Sequence, residues 1–210
     1  MKAEAMPRTT LNALLAAIVT AALLVSGIAP YDRLTWLMEV APVLIALPLL
    51  IVTRHSYPLT LLLTAMIALH ALILIGGGAY TYARVPFGFW LQDILGTVRN
   101  PYDKIGHFMQ GFVPALVARE ILIRGHYTNG RRMTAFLCVC IAMAISASYE
   151  LIEWAAALIM GQGADEFLGT QGDQWDTQSD MFMALIGSTT AMVALGRWHD
   201  RQLARLAQRR

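Results

Sequence analysis

Three short segments of this chain set acidic and basic side chains at helical spacing inside otherwise apolar sequence. Tyr102-Asp103-Lys104-Ile105-Gly106-His107-Phe108-Met109-Gln110 holds Asp103 and His107 four apart, with Gln110 three beyond, so all three share one helical face. In Tyr149-Glu150-Leu151-Ile152-Glu153-Trp154 the two glutamates are three apart, and in Asp173-Gln174-Trp175-Asp176-Thr177-Gln178-Ser179-Asp180 the last two aspartates are four apart. Each segment offers one polar stripe. A charged group within a membrane span costs at least ~2.5 to 3.5 kcal/mol on insertion scales, so such groups face a bundle interior and act there.

Several carboxylates a few ångströms apart in a poorly solvated site cannot all stay ionised; they need protons, a basic partner or a cation. A divalent cation is the economical solution. One histidine among carboxylates and amides suits Mg2+, Mn2+ or Ca2+, with Zn2+ on His107 and Glu150 or Glu153 as the alternative. The expected metal ligands are His107, Glu150, Glu153, Asp176 and Asp180; the expected catalytic groups are His107, Glu150, Glu153 and Asp180. Asp103 orients His107, and Lys104, Gln110 and Asp173 give support. No His-Glu-x-x-His occurs, and Asp173-Gln174-Trp175 breaks the alternating acids of an EF-hand loop. The same groups equally support acid and base catalysis with no metal. The plainer readings are a hydrogen-bonded interhelical His107, an Asp103 and Lys104 that neutralise a helix end, and glutamates paired with Lys104 or Arg99. Asp165 and Glu166 read as ordinary loop acids. His55, His70, His126 and His199 lack an organised neighbourhood.

The elements that must position these groups are membrane helices. Of 210 residues, 57% are hydrophobic and 14% charged, against roughly 45 to 50% and ~25% in soluble domains, and the mean hydropathy is +0.52. A span needs ~20 mostly apolar residues. Six segments come close, at 11–28, 37–53, 59–76, 105–123, 133–160 and 181–197. The expectation is an all-α polytopic integral membrane protein of about six transmembrane helices, a single membrane domain over 1–210. Pro42 and Pro48 should bend the second span. The glycines, prolines and aromatics of 77–104 suit an interfacial segment, and 161–180 is an acidic loop without Lys or Arg. The first apolar stretch exceeds the ~7 to 15 residues of a signal peptide core and is expected to remain as a helix. Cys138 and Cys140, two apart in an apolar run, point to different faces and make no redox or metal motif. Trp36, Trp90, Trp154, Trp175 and Trp198 fall near span ends, as belt residues do.

Basic loops are retained in the cytoplasm. Placing both termini there collects Lys2, Arg8, Arg54, Arg119, Arg124, Arg131, Arg132, Arg197, Arg201, Arg205, Arg209 and Arg210 on that side, twelve of the sixteen basic residues. The three polar stripes then converge at the outer end, as a shallow pocket open outward. A net charge of +2 without basic residues interleaved with exposed aromatics argues against nucleic acid. The Arg197 to Arg210 tail reads as a topology anchor, with acidic lipid headgroups as the other possibility.

At these positions the chain resembles the YjdF-type bacterial inner-membrane proteins, over about 31–201. The likeness rests on Asp103-Lys104-Ile105-Gly106-His107-Phe108-Met109-Gln110-Gly111, on Tyr149 to Trp154, and on Gly161-Gln162-Gly163-Ala164-Asp165 through Thr170-Gln171-Gly172-Asp173 to Asp180-Met181. More distantly, Asp103-Lys104 with His107-Phe108, a glutamate in the next span and an aspartate opening the last look like VanZ-type membrane proteins linked to glycopeptide resistance. The first resemblance implies a bacterial inner (plasma) membrane location and brings no activity with it; the second suggests the cell envelope. The leading expectation is an envelope-facing enzyme, assisted by a divalent cation, acting on a lipid-linked or headgroup substrate at the outer leaflet. The alternatives are a proton- or cation-coupled transporter and a non-catalytic envelope assembly factor.

Overall fold

The computed structural model describes residues 7–160 and 171–208, and every regular element among them is helical. In chain order these are α1 (Arg8–Ile28), α2 (Arg33–Thr53), α3 (Leu61–Ala79), α4 (Pro86–Leu95), α5 (Tyr102–Arg124), α6 (Arg131–Met160), α7 (Asp176–Thr190), a π-helical turn (Ala191–Leu195) and α8 (Gly196–Ala207). Asp165, Glu166 and the Gly161 to Thr170 part of the expected acidic loop lie outside the described residues.

Among the described residues, five helices are long and apolar enough to cross a membrane: α1, α2, α3, α6 and the continuous run from α7 through α8. The chain is a polytopic, all-α membrane protein. The remaining long helix, α5, has 23 residues but is too polar to meet the same test. It runs the length of the bundle, since Lys104 near its start bonds Asp176 on α7 while Glu120 near its end bonds Thr60 at the head of α3. Its polarity is tolerated because α3, α6 and α7 cover it; fourteen of its residues are buried, among them Leu116, Arg119 and Glu120. Hydrocarbon never meets those groups, which is the condition for polar side chains at membrane depth.

The tightest seam is α5 against α7. A methyl group on Gly111 would collide with the carbonyl oxygen of Ala184, and one on Gly187 would collide with that of Phe108. Only glycine at both positions lets the two backbones touch, as small residues do between membrane helices. Around the seam, Met109, Phe112, Val113, Leu116, Cys138 and Ala191 form the main apolar core; Cys138 is buried and Cys140 exposed, both free.

Helix α2 is continuous through both Pro42 and Pro48. Its start is capped by Asp32, whose Oδ1 accepts the Thr35 N–H at 2.7 Å. Trp36 is a correction to the belt reading: it packs inward, donating Nε1–H to Ser26 Oγ on α1 at 2.9 Å, whereas Trp90, Trp154, Trp175 and Trp198 are exposed. The interfacial segment holds the short α4, and the preceding turn carries Thr81 (φ 53°) and Tyr82 (φ 51°) in the left-handed region. For a β-branched threonine that conformation is strained.

At the end of the bundle away from the three stripes lies a second buried network that the sequence did not announce. Glu120, fully buried, accepts from Thr60 N–H at 3.1 Å, Thr60 Oγ1–H at 2.7 Å and Arg124 Nη1 at 2.8 Å, and His199 Nε2 lies 3.0 Å from it. Gln202 Oε1 accepts the Leu62 N–H at 2.9 Å. The free amides that open α3 are thus satisfied by side chains of α5 and α8, a cap supplied from distant sequence. His199, read as unorganised from sequence, is one of the most buried side chains in the fold.

Thermal unfolding in detergent is expected to register the seam and the cap separately. Gly111→Ala or Gly187→Ala forces α5 from α7 and costs about 3 kcal/mol, seen as a lower thermal midpoint, whereas Gly196→Ala, with open space around it, is neutral or slightly stabilising. Asp32→Ala costs about 1 kcal/mol and Asp32→Ser restores most of it. The hydrogen bonds from Thr35 hold the Asp32 carboxyl below its ordinary value of 3.8. Its contribution is accordingly present in full above that value and is lost as pH falls through the lower folded one; midpoints of wild type and Asp32→Ala converge in acid.

Candidate functional site

The three stripes do converge. Helix α5 supplies Asp103, Lys104, His107 and Gln110 from its first turns, α7 supplies Asp176 and Asp180 from its own first turns, and α6 supplies Glu150 and Glu153. Asp103, His107, Gln110, Glu150, Asp176 and Asp180 are all buried. The glycine seam between α5 and α7 is what draws these two helix starts into contact.

Two cations divide the acids. Lys104 Nζ sits 2.8 Å from Asp176 Oδ1, 2.6 Å from Asp180 Oδ1 and 2.6 Å from Ser179 Oγ. Arg99 bonds Asp176 Oδ1 and reaches Asp173 Oδ2 at 3.3 Å. Burial works against the Arg99 charge, but the hydrogen bond and charge of Asp176 outweigh it and raise its proton affinity. Arg99 is held in place by the connector from α4, where buried Asn100 donates Nδ2–H to Val85 O at 3.0 Å and accepts the Tyr102 N–H on Oδ1 at 3.0 Å. Asp176 is consequently engaged by Arg99 and Lys104 rather than by His107, and Asp173 stands at the rim. The basic residues Lys104 and Arg99 pair with α7, not with Glu150 and Glu153.

His107 is the centre of what remains. Its Nε2 lies 3.3 Å from Asp103 Oδ1 and 3.7 Å from Asp180 Oδ2; its Nδ1 lies 3.1 Å from Gln110 Oε1 and 3.7 Å from Glu150 Oε1. With Gln110 accepting from Nδ1–H, the imidazole turns its other nitrogen toward two carboxylate oxygens. Among the described residues, Asp103, His107 and Asp180 are the group whose ligand atoms all fall within 4.8 Å of one another. Asp103 Oδ2 and Glu150 Oε1 are buried without a hydrogen-bond partner among those residues. Buried polar atoms of that kind call for an explanation such as an ion, a water or a catalytic role.

The pocket is deeper than the shallow bowl expected from the stripes. A cavity of about 120 Å³ is lined by Glu39 and Pro42 of α2, His70 and Leu74 of α3, Thr81, Tyr82, Tyr149 and Glu153, and it follows α5 from Asp103 to Pro114, about 16 Å of helix. Helices α2 and α3 make the difference, contributing a glutamate and a histidine. Glu39 is buried and faces the Tyr149 hydroxyl, 3.5 Å from Oε2. Glu39, His70 and Arg99 were missed as site residues. For Glu39 the signal existed, an acid inside an apolar span; His70 had no polar neighbour in its own helix, and the polar groups that share the cavity with it come from other helices. The strained Thr81 and Tyr82 form part of the wall, with the Tyr82 ring over Gly77 and Gly106.

The arrangement holds six carboxyl groups, those of Glu39, Asp103, Glu150, Glu153, Asp176 and Asp180, against the fixed charges of Arg99 and Lys104. Removal of Lys104 as Lys104→Met leaves Asp176 and Asp180 facing each other and costs about 3 kcal/mol or more. Adding Asp180→Asn to that variant recovers part of the loss, a coupling that a double-mutant cycle of unfolding midpoints measures.

Comparison with known proteins finds a family profile described as "Predicted membrane protein (DUF2238)" that matches residues 11–201. Among curated proteins, "Inner membrane protein YjdF" of Escherichia coli (strain K12) is 65% identical over 187 residues, covering 89% of this chain and 90% of that protein. No solved structure matches. The nearer of the two resemblances read from the motifs is thereby supported; the VanZ-type one gains no support.

Proposed function

The chain belongs to the DUF2238 family of membrane proteins and is an inner-membrane protein, and from that premise we propose that it binds a divalent cation between Asp103, His107 and Asp180 and acts with it on a lipid-linked or headgroup substrate at the periplasmic face. One observation carries the reading: His107 Nε2 and two carboxylate oxygens are gathered within 4.8 Å. An imidazole nitrogen facing two anions is repulsive unless a proton or a metal cation lies between them. Mixed nitrogen and oxygen donors suit Mn2+, Mg2+ or Zn2+. Gln110 on Nδ1 fixes the tautomer, the usual outer-shell support of a ligating histidine. Glu150 and Glu153, beside the trio and free of Lys104, are the groups to move protons for a substrate entering from the rim. The periplasmic orientation rests on the basic residues, since Arg54, Arg119, Arg124, Arg131, Arg132, Arg197, Arg201 and Arg205 all fall at the opposite end.

The depth of the cavity favours a second reading, a proton- or cation-coupled carrier in which Glu39 and His70 pass the ion inward. Flux into proteoliposomes abolished by Glu39→Gln selects it.

The test is cation binding. Purified protein dialysed against Mn2+ is expected to hold about one ion per chain, and His107→Ala and Asp180→Asn to lose it, while Asp173→Asn keeps it. Wild type that binds no Mn2+, Mg2+ or Zn2+ overturns the cation reading.

A further inference from the structure

A larger cavity, of about 690 Å³, lies at the other end of the bundle between α1, α2 and α3. It is separate from the candidate site, beginning at Val43 and Ala71 where the first cavity stops at Pro42 and His70. The local cause is side-chain size: Ala13 and Ala16 of α1, Ala46 of α2, and Ala68 and Ala71 of α3 all line it. Helix α1 packs on α3 and touches α2 little, so the cleft between α1 and α2 is left for the bilayer to fill.

Its lining changes character along its length. Val19, Val43, Ala68 and Ala71 form the deep end; Thr9, Asn12, Arg54, His55 and Tyr57 form the mouth. From Val43 to Arg54 the wall is eleven residues long, about 16 Å, half of a hydrocarbon core of ~30 Å. The cavity is therefore one leaflet deep, apolar at the midplane and polar and cationic at the interface. A void of this size in a bilayer does not stay empty, because its walls would forfeit their dispersion contacts, and apolar walls do not hold water. At the mouth, Asn12 Oδ1 is buried without a hydrogen-bond partner among the described residues, while Arg54 is exposed and uses Nη1 on Ile51 O.

We propose that this cavity is a binding site for one anionic phospholipid, which inserts an acyl chain between α1, α2 and α3 and sets its phosphate against Arg54. The alanine-lined depth fits the chain, the mouth fits the charge, and the length fits a lipid of a single leaflet. The assignment is independent of any cation at the other end.

The full chain, purified in mild detergent and exchanged with phosphatidylglycerol or phosphatidylcholine of one chain length, is weighed intact by mass spectrometry. Wild type is expected to retain about one phosphatidylglycerol, and Ala68→Phe, which fills the cavity, to retain none. Arg54→Gln is expected to bind phosphatidylglycerol about fivefold more weakly and to lose preference for it over phosphatidylcholine. Leu47→Trp fills the same space from α2 and serves if Ala68→Phe unfolds early. Equal lipid retention by a filled variant with a wild-type unfolding midpoint overturns the proposal. So does a filled variant that changes oligomeric mass instead of lipid number, since the cavity would then seat a second copy.

Discussion

A polar helix in the middle of a membrane bundle makes every other contact in this protein conditional on its own enclosure. Helix α5 carries Asp103, Lys104, His107, Arg119, Glu120 and Arg124 along one rod, and none of them can be offered to hydrocarbon. Their partners sit at the head of α3 and on α6, α7 and α8, and α7 can come near enough only because Gly111 and Gly187 let backbone meet backbone. Packing and charge pairing are mutually dependent here. A buried ion without its partner costs several kcal/mol, so a gap of an ångström at the seam would be felt at both ends of the rod.

The two ends answer that demand differently. At the Glu120 end, a single carboxylate is surrounded by donors from Thr60, Arg124 and His199, and the result is a joint. At the Asp103 end, acids outnumber cations among the described residues, buried oxygens of Asp103 and Glu150 lack hydrogen-bond partners among them, and a strained turn forms part of the wall. What separates the two ends is the kind of atom left over: among the described residues the buried atoms without a hydrogen-bond partner are nitrogens of Arg119, Arg124 and His199 at the first end and oxygens of Asp103 and Glu150 at the second.

Much of this was visible in the chain itself. Period and composition gave the apolar helices, and the spacing of Asp103, His107, Glu150 and Asp180 gave the convergent faces, because a stripe on one helix is a local property. The departures are all non-local. Glu39 and His70 join the cavity through α2 and α3, whose order around α5 no spacing within one helix encodes. The pairing of Asp176 with Arg99 depends on Asn100 anchoring a connector to Val85. Trp36 sits near a helix start, as belt residues do, yet Ser26 on the neighbouring helix draws it inward. His199 lies in a run of arginines that reads as a topology anchor, and only the fold shows the head of α3 beneath it.

The π-helical turn at Ala191–Leu195 bears on that last placement. One such turn carries a surplus residue relative to an α-helix, and each residue added to a helix rotates the remainder of it by about 100°. The rotation decides which side of α8 meets the bundle: His199, Leu203 and Leu206 are inside, while Arg197, Arg201 and Arg205 are outside. A regular helix through the same sequence would turn Trp198, Gln202 and Arg205 toward the bundle in place of His199, Leu203 and Leu206. The final helix thus works as a dial set by one extra residue, and its setting makes a single stretch of chain both a buried latch and a basic outer edge.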